Sequence, residues 1–269
     1  MTTLPSFLQP PVDEVACSLQ FESAMQIRAV DLAVIAESFR DAYPNIEEHP
    51  PLGPIPTGGI NFNFQIGVIS ELPRLYMIDE TSTRLVQLQR DRFGVNWRRA
   101  GGEGVYPRYD EAVRPSLVDA CNRLVKALGS LGLEIPKVSA IEVTYVNPIP
   151  LPGGAAIEAA IRPWSGKLGP ELGGAEPTSI SLQLVFPIPE IDGTMSAEAV
   201  TATRTSDGVP AVLLNLVVRA AVNVSIEQAI EKVDIARDWI VRGFASLTTD
   251  AMHDFWQRQD RPGGNNDTS

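Results

Sequence analysis

Two cysteines, Cys17 and Cys121, and two histidines, His49 and His253, are all that 269 residues offer to thiol chemistry or a Cys/His zinc site. They are too few and too scattered for the Cys/His spacing of a zinc site, and two cysteines make no disulfide framework. Both cysteines sit in apolar patterns that suit buried thiols. His49 lies in a Pro-rich stretch and His253 among Met252, Phe255 and Trp256, where packing or exposure explains it without a nucleophile partner. No G-x-S-x-G elbow occurs, so a serine hydrolase has no support. The Gly-rich pieces at Gly58-Gly59, Gly101-Gly102-Glu103-Gly104, Gly153-Gly154 and Gly173-Gly174 lack both a P-loop Lys-Ser/Thr and the setting of a dinucleotide fingerprint. They read as turns. The acidic pairs Glu47-Glu48 and Asp110-Glu111 are adjacent in sequence and point in different directions, so neither makes an acid/base pair by itself. No catalytic residue, metal or cofactor is expected.

Long apolar runs are also missing: none approaches the roughly 18 residues that span a bilayer. Residues 1–13 hold no basic residue and no apolar segment, so a secretory signal is not expected and the cytoplasm is the default location. The hydrophobic fraction of 44% and charged fraction of 20% belong to a globular chain able to bury a substantial core. A net charge of −11 disfavours nucleic acid and anionic lipid as partners. Against that background, Arg84, Arg90, Arg92, Arg98, Arg99, Arg108 and Arg114 crowd into one segment. A solvated sheet face and an anion or acidic-partner site explain them equally well.

Hydrophobic periodicity gives an α+β chain. Residues 1–13 read as a flexible leader and 260–269 as a disordered tail. In the N-terminal half, 14–136, a strand at Val15–Glu22 precedes a helix at Ala29–Tyr43 and a loop at Glu47–Gly59. Strands are expected at Ile60–Ser70, Arg74–Asp79, Arg84–Arg92 and Val95–Arg99, then a helix at Asp110–Leu131. In the C-terminal half, 137–259, strands are expected at Val138–Val146, Ser179–Pro187, Thr194–Ser206 and Pro210–Asn223, with Asp207-Gly208 as a hairpin turn. A long helix over Ser225–Gln259 closes the chain, with Ser225 and Gln228 in capping-box positions. Both halves thus read as an antiparallel sheet with helices on one face, in the element order of TATA-box-binding-like or helix-grip lobes. The alternative is one large α+β domain whose halves match by accident.

The densest chemistry lies in Gln87-Leu88-Gln89-Arg90-Asp91-Arg92-Phe93-Gly94-Val95-Asn96-Trp97-Arg98, followed by Tyr106-Pro107-Arg108-Tyr109. The candidate binding residues are Gln89, Asp91, Arg92, Asn96, Trp97, Arg98, Tyr106 and Tyr109, with Asn147 and Trp164 as polar-aromatic positions in the second half. Arg, Trp and Tyr are enriched at binding hot spots, whereas an internal polar-aromatic network would use the same residues without a ligand.

These motifs, with Tyr145-Val146-Asn147, Pro10-Pro11-Val12-Asp13-Glu14-Val15 and a closing helix carrying Phe244 and Trp256, resemble a sporadically distributed bacterial family. The resemblance covers nearly the whole chain and implies no particular reaction. A sporadic distribution implies horizontally moved genes such as defence or toxin–antitoxin operons. The leading expectation is a non-enzymatic binding or scaffold protein, an accessory subunit in such an operon, whose partner is another protein and which is able to self-associate. The alternative is a helix-grip small-molecule binder or enzyme with a pocket between sheet and terminal helix. There Val212, Leu214, Leu216 and Val218 share one parity and face Trp239 and Phe244.

Overall fold

The strand series opens with β1 (Glu14–Phe21), β2 (Asn45–His49), β3 (Arg74–Ile78), β4 (Arg84–Leu88) and β5 (Arg92–Arg98). It continues through β6 (Val138–Pro150), β7 (Ser181–Ile188), β8 (Gly193–Thr203) and β9 (Pro210–Val224). The structure is a computed structural model and describes residues 3–57, 72–102, 105–151, 157–164, 177, 179–204 and 208–260. These strands form one antiparallel sheet in the order β2-β3-β4-β5-β1-β6-β9-β8-β7. The expected α+β class is borne out. The boundary expected near residue 136 is bridged by hydrogen bonding between β1 and β6, with Cys17 opposite Val143 and Leu19 opposite Ile141.

Period-2 patterning divides the sheet cleanly. Val15, Cys17 and Leu19 of β1, Val95 and Trp97 of β5, Val143 and Tyr145 of β6, and Val212 to Val218 at every second place on β9 are buried on one face. Helices cover that face. α1 (Ala29–Glu37) packs on α2 (Arg114–Ser130), which touches β5 and α3 (Ile226–Leu247); α3 in turn lies on β6, β8 and β9. α2 buries Leu117, Cys121, Leu124 and Leu128, and α3 buries Ile230, Val233, Ile240 and Phe244, as their 3.6-residue period requires. The opposite face carries polar and small residues: Glu14, Ser18 and Gln20 of β1, Arg92, Gly94 and Asn96 of β5, Glu142 and Thr144 of β6.

Several expected elements differ. The loop over Glu47–Gly59 begins with an edge strand: β2 pairs its residues 45–49 with β3. The single strand over Arg84–Arg92 is two, joined by a tight turn in which the Gln89 amide donates to the Arg92 carbonyl at 2.8 Å. Phe21 and Met25 amides hold that turn through the carbonyls of Asp91 and Arg90. The helix expected from Asp110 opens as a π-turn over Tyr109–Val113 before α2 begins at Arg114. Pro115 has no N–H to give the carbonyl four residues back, which loosens the entry into a wider turn. The terminal helix keeps its predicted cap, with Gln228 N donating to the Ser225 hydroxyl, but breaks after Leu247. There the Thr248 hydroxyl donates to the Phe244 carbonyl at 2.7 Å, and Thr249 caps a separate α4 (Asp250–Phe255). The strand expected at Ile60–Ser70 and the tail from residue 261 lie outside the described residues, as does Asp207 of the expected turn; Gly208 has φ +70°.

Burial removes both thiols from acid–base chemistry, pushing Cys17 and Cys121 up to about 12. Gly94 marks the tightest point of the centre, because a Cβ there would stand 2.5 Å from the Cys17 carbonyl oxygen. Gly129, inside α2, has nothing within 4 Å of a Cβ. Gly94→Ala is therefore expected to destabilise by about 1–3 kcal/mol, the range for overpacking. Gly129→Ala is expected to stabilise by roughly 0.5–1 kcal/mol through helix propensity. Urea unfolding of the two variants checks the opposite signs; equal shifts would refute this packing account.

Candidate functional site

A cleft of about 560 Å³ opens between the covered face of the sheet and α3. Tyr145 and Asn147 of β6 and Leu216 of β9 line it from the sheet, and Arg237, Ile240, Val241 and Phe244 line it from α3. The loop Val105–Glu111 forms another wall, and Leu4 to Val12 close the last side. Residues 6–13, within the stretch expected as a leader, are hydrogen-bonded along the C-terminal end of the chain. Leu8 and Gln9 amides donate to the carbonyls of Gln257 and Trp256, Gln259 donates back to Ser6, and Asp13 donates to Val146. Phe7 anchors this strap against Phe244, His253 and Trp256, with ring centroids at 5.5, 5.3 and 6.1 Å. His253 is fully buried, its Nε2 2.9 Å from the Thr248 hydroxyl and its Nδ1 3.2 Å from the Arg258 guanidinium. Nδ1 also lies 3.6 Å from the Asp250 carboxylate, and the ring is a structural part of the strap.

Aromatic hydroxyls, Asn147 and the charged side chains of Arg108, Asp110, Glu111 and Arg237 supply the polarity of the cleft. The Tyr106 and Tyr145 hydroxyls pair at 3.1 Å, and Tyr106 rests edge-on against Trp97 at 5.2 Å. The Tyr109 hydroxyl donates to Asp234 at 2.7 Å, and Arg114 Nε donates to the same carboxylate at 3.0 Å. Burial pushes all three tyrosines above their ordinary range, so they remain protonated hydrogen-bonding groups. The Arg237 guanidinium lies over the Tyr109 ring at 5.3 Å, with Asp238 at 3.2 Å and Asp110 at 3.6 Å. Asn147, 1% exposed, donates Nδ2 to the carbonyls of Leu214 at 3.0 Å and Tyr145 at 3.3 Å. Asn147 Oδ1 and Arg237 Nε are buried without a hydrogen-bond partner. Arg108 reaches the cleft with φ 58° and ψ 147°, a conformation that costs a non-glycine residue about 1–3 kcal/mol.

The cleft gathers Tyr106, Tyr109 and Asn147 from the sequence-predicted residues, with Trp97 in edge contact behind Tyr106. The others lie elsewhere. Gln89 ties the β4–β5 turn to Leu52 and Asp91, accepting from the Leu52 amide at 2.8 Å and donating to its carbonyl at 2.9 Å. Arg92 meets Glu142, which also takes Arg219 at 2.6 Å; Asn96 accepts from Gln87 at 2.6 Å and donates to Glu14. These two networks occupy the sheet face opposite the helices. Arg98 donates to the Ser82 carbonyl at 2.9 Å, and Trp164 packs on the core away from the cleft. Of the residues expected to line a pocket under the terminal helix, Leu216 and Phe244 do so. Arg237, Ile240 and the Phe7 strap were not singled out by sequence; their helical spacing from Val233 and Phe244 is the available signal for the first two.

Among the described residues no group of three or more His, Cys, Asp or Glu side chains could hold a metal ion, and no helix is long and apolar enough to cross a membrane. Comparison with protein-family models, curated proteins and solved structures finds no match.

The strap ends in a titratable clasp. Asp260 accepts from the Ser6 amide at 3.1 Å and pairs with Arg258 at 2.8 Å, and the guanidinium holds its carboxyl at about 2. A lowered value means the folded state prefers the carboxylate, so the clasp is at full strength above the ordinary aspartate range and is lost as pH falls through about 2. The Ser6 amide resonance should titrate with that low midpoint and lose the transition in Asp260→Asn. A midpoint at the ordinary aspartate value would show the clasp open.

Proposed function

We propose that the chain is a bacterial, cytoplasmic binding protein whose ligand is a small organic molecule held between the sheet and α3. The observation that carries this reading is the 560 Å³ cleft itself, walled by Tyr106, Tyr109, Tyr145, Phe7 and Phe244. That volume, and a lining that joins aromatic rings to a few polar and charged groups, suit a site for a drug-sized molecule. The Gln87–Arg98 segment supports a protein-partner reading less, because its side chains spend their donors on Glu14, Glu142 and each other. Strand order favours a duplicated lobe. Each half places its first strand at the centre and the rest outward in reverse order, 5-4-3-2 on one side and 9-8-7 on the other. In a TATA-box-binding-like or helix-grip duplication, the cleft draws walls from both halves: the Val105–Glu111 loop from the first, β6, β9 and α3 from the second. The likeness to a sporadic bacterial family supports a role as the ligand-sensing or accessory component of an operon.

The neutral dye Nile red should bind with one molecule per chain. Val241→Trp, which fills the cleft from a half-buried position on α3, should weaken binding at least tenfold while leaving the melting temperature nearly unchanged. No saturable binding, or binding that ignores the substitution, overturns the reading.

A further inference from the structure

We propose that the free edge of β7 pairs with the β7 of a second copy of this chain, joining two sheets across a two-fold axis. The inference concerns the end of the sheet, apart from the cleft, and does not depend on what the cleft holds. Among the described residues, β7 pairs with β8 on one side and with no strand on the other. Its eight residues, Ser-Leu-Gln-Leu-Val-Phe-Pro-Ile, carry no charge, and apolar side chains stand on both faces. Towards the helix layer, Leu182, Leu184 and Phe186 are only half-buried, because α3 lies chiefly on β6, β8 and β9. On the other face, Val185 is 51% exposed. A strand apolar on both sides reads as an interior strand, and an uncharged edge is open to pairing. The opposite edge of the sheet is guarded. There β2 is five residues long and carries Glu47 and Glu48, which a two-fold pairing would set against the same carboxylates of the copy.

Backbone geometry sets the register. The Thr201 amide donates to the Ile180 carbonyl and the Ile180 amide to the Thr201 hydroxyl, both at 3.0 Å. From there β7 pairs with β8 without a register shift. Even-numbered residues of β7 therefore spend their N–H and C=O groups on β8, and Ser181, Gln183, Val185 and Pro187 turn theirs to the free edge. An axis through Leu184 sets Gln183 opposite the partner's Val185, and Ser181 opposite the partner's Pro187. Every outward N–H then meets a carbonyl, and Pro187, which has no N–H to give, leaves no donor unmet. The same axis brings Leu184 onto the partner's Leu184 and Leu182 beside the partner's Phe186, extending the apolar face across the junction. Charge points to the same occupant. The chain carries −11, and at this neutral edge two copies meet without opposing like charges. A self-complementary patch of this kind is what a two-fold interface requires.

Sedimentation velocity over roughly a hundredfold range of concentration should show the full chain passing from monomer to dimer by mass action. In hydrogen exchange followed by NMR, the Ser181, Gln183 and Val185 amides should gain protection as the dimer forms. The Leu182 and Leu184 amides, bonded to β8, should stay protected throughout. Gln183→Pro removes an outward N–H and Val185→Lys adds a charge to the edge, and neither touches the pairing with β8. Each should weaken dimerisation about tenfold or more and leave the melting temperature of the dilute chain nearly unchanged. Should Gln183→Pro fail to fold, Val185→Lys decides alone. A monomer at every concentration overturns the proposal, as does a dimer that both substitutions leave intact. Protection of the three outward amides that ignores concentration means that the chain covers its own edge, which overturns it equally.

Discussion

Pairing of β1 with both β5 and β6 is the constraint on which the rest of the molecule depends. It places the first strand of the chain in the middle of nine and joins residues far apart in sequence into one sheet. A sheet that keeps its helices on one face must put apolar residues at every second position of every strand, and a slip of one residue would turn Val15, Cys17 and Leu19 out to the polar side. The close approach of Gly94 to the Cys17 carbonyl pins that register from the neighbouring strand. Helix placement follows from the same division, since α2 and α3 bury their stripes only against the covered face.

The division also explains how the polar side chains sort. On the face opposite the helices, Arg92, Glu142 and Arg219 stand on different strands and meet side by side, as do Gln87, Asn96 and Glu14. Cross-strand pairs of this kind stabilise a sheet without a ligand. On the covered face, polar groups are few and lie where α3 and the Val105–Glu111 loop separate over β6 and β9. Polarity in a core is costly unless satisfied, so its concentration at one opening marks that opening as the place where the chain departs from pure packing.

Much of the architecture was legible from local pattern. Alternation located β1, β3, β6, β7, β8 and β9 to within a few residues, and the Ser225–Gln228 capping box located the start of α3. Features that depend on distant partners were not legible. The edge strand β2, Asn-Ile-Glu-Glu-His, is polar and nearly all exposed, and only its pairing with β3 makes it a strand. The strap at residues 6–13 reads as a loose leader because its hydrogen bonds go to Trp256, Gln257, Gln259 and Val146, which no local window contains. The cleft was half legible. Tyr106-Pro107-Arg108-Tyr109 and Asn147 stood out by residue type, but the segment that stood out most, Gln87–Arg98, faces the other way over half its side chains. Composition cannot tell which parity meets the core when both parities carry polar groups.

The cleft is not a packing defect. Among the described residues, gaps beside Trp97 and beside Leu214 have volumes of about 10 Å³, at the threshold for a single water, as expected of an interior packed like an organic crystal. A core able to close that well elsewhere could close here too, since Ile240, Phe244 and Leu216 are ordinary core residues on adjoining elements. What keeps the walls apart is specific. Arg108 holds a strained backbone at the loop, Asp234 tethers Tyr109 and Arg114, and Arg237 is fixed over the Tyr109 ring by Asp110 and Asp238. The Phe7 strap bridges the remaining side and is anchored in turn by His253, Trp256 and Asp260. Strain at Arg108 costs about 1–3 kcal/mol and falls where the loop lines the cleft.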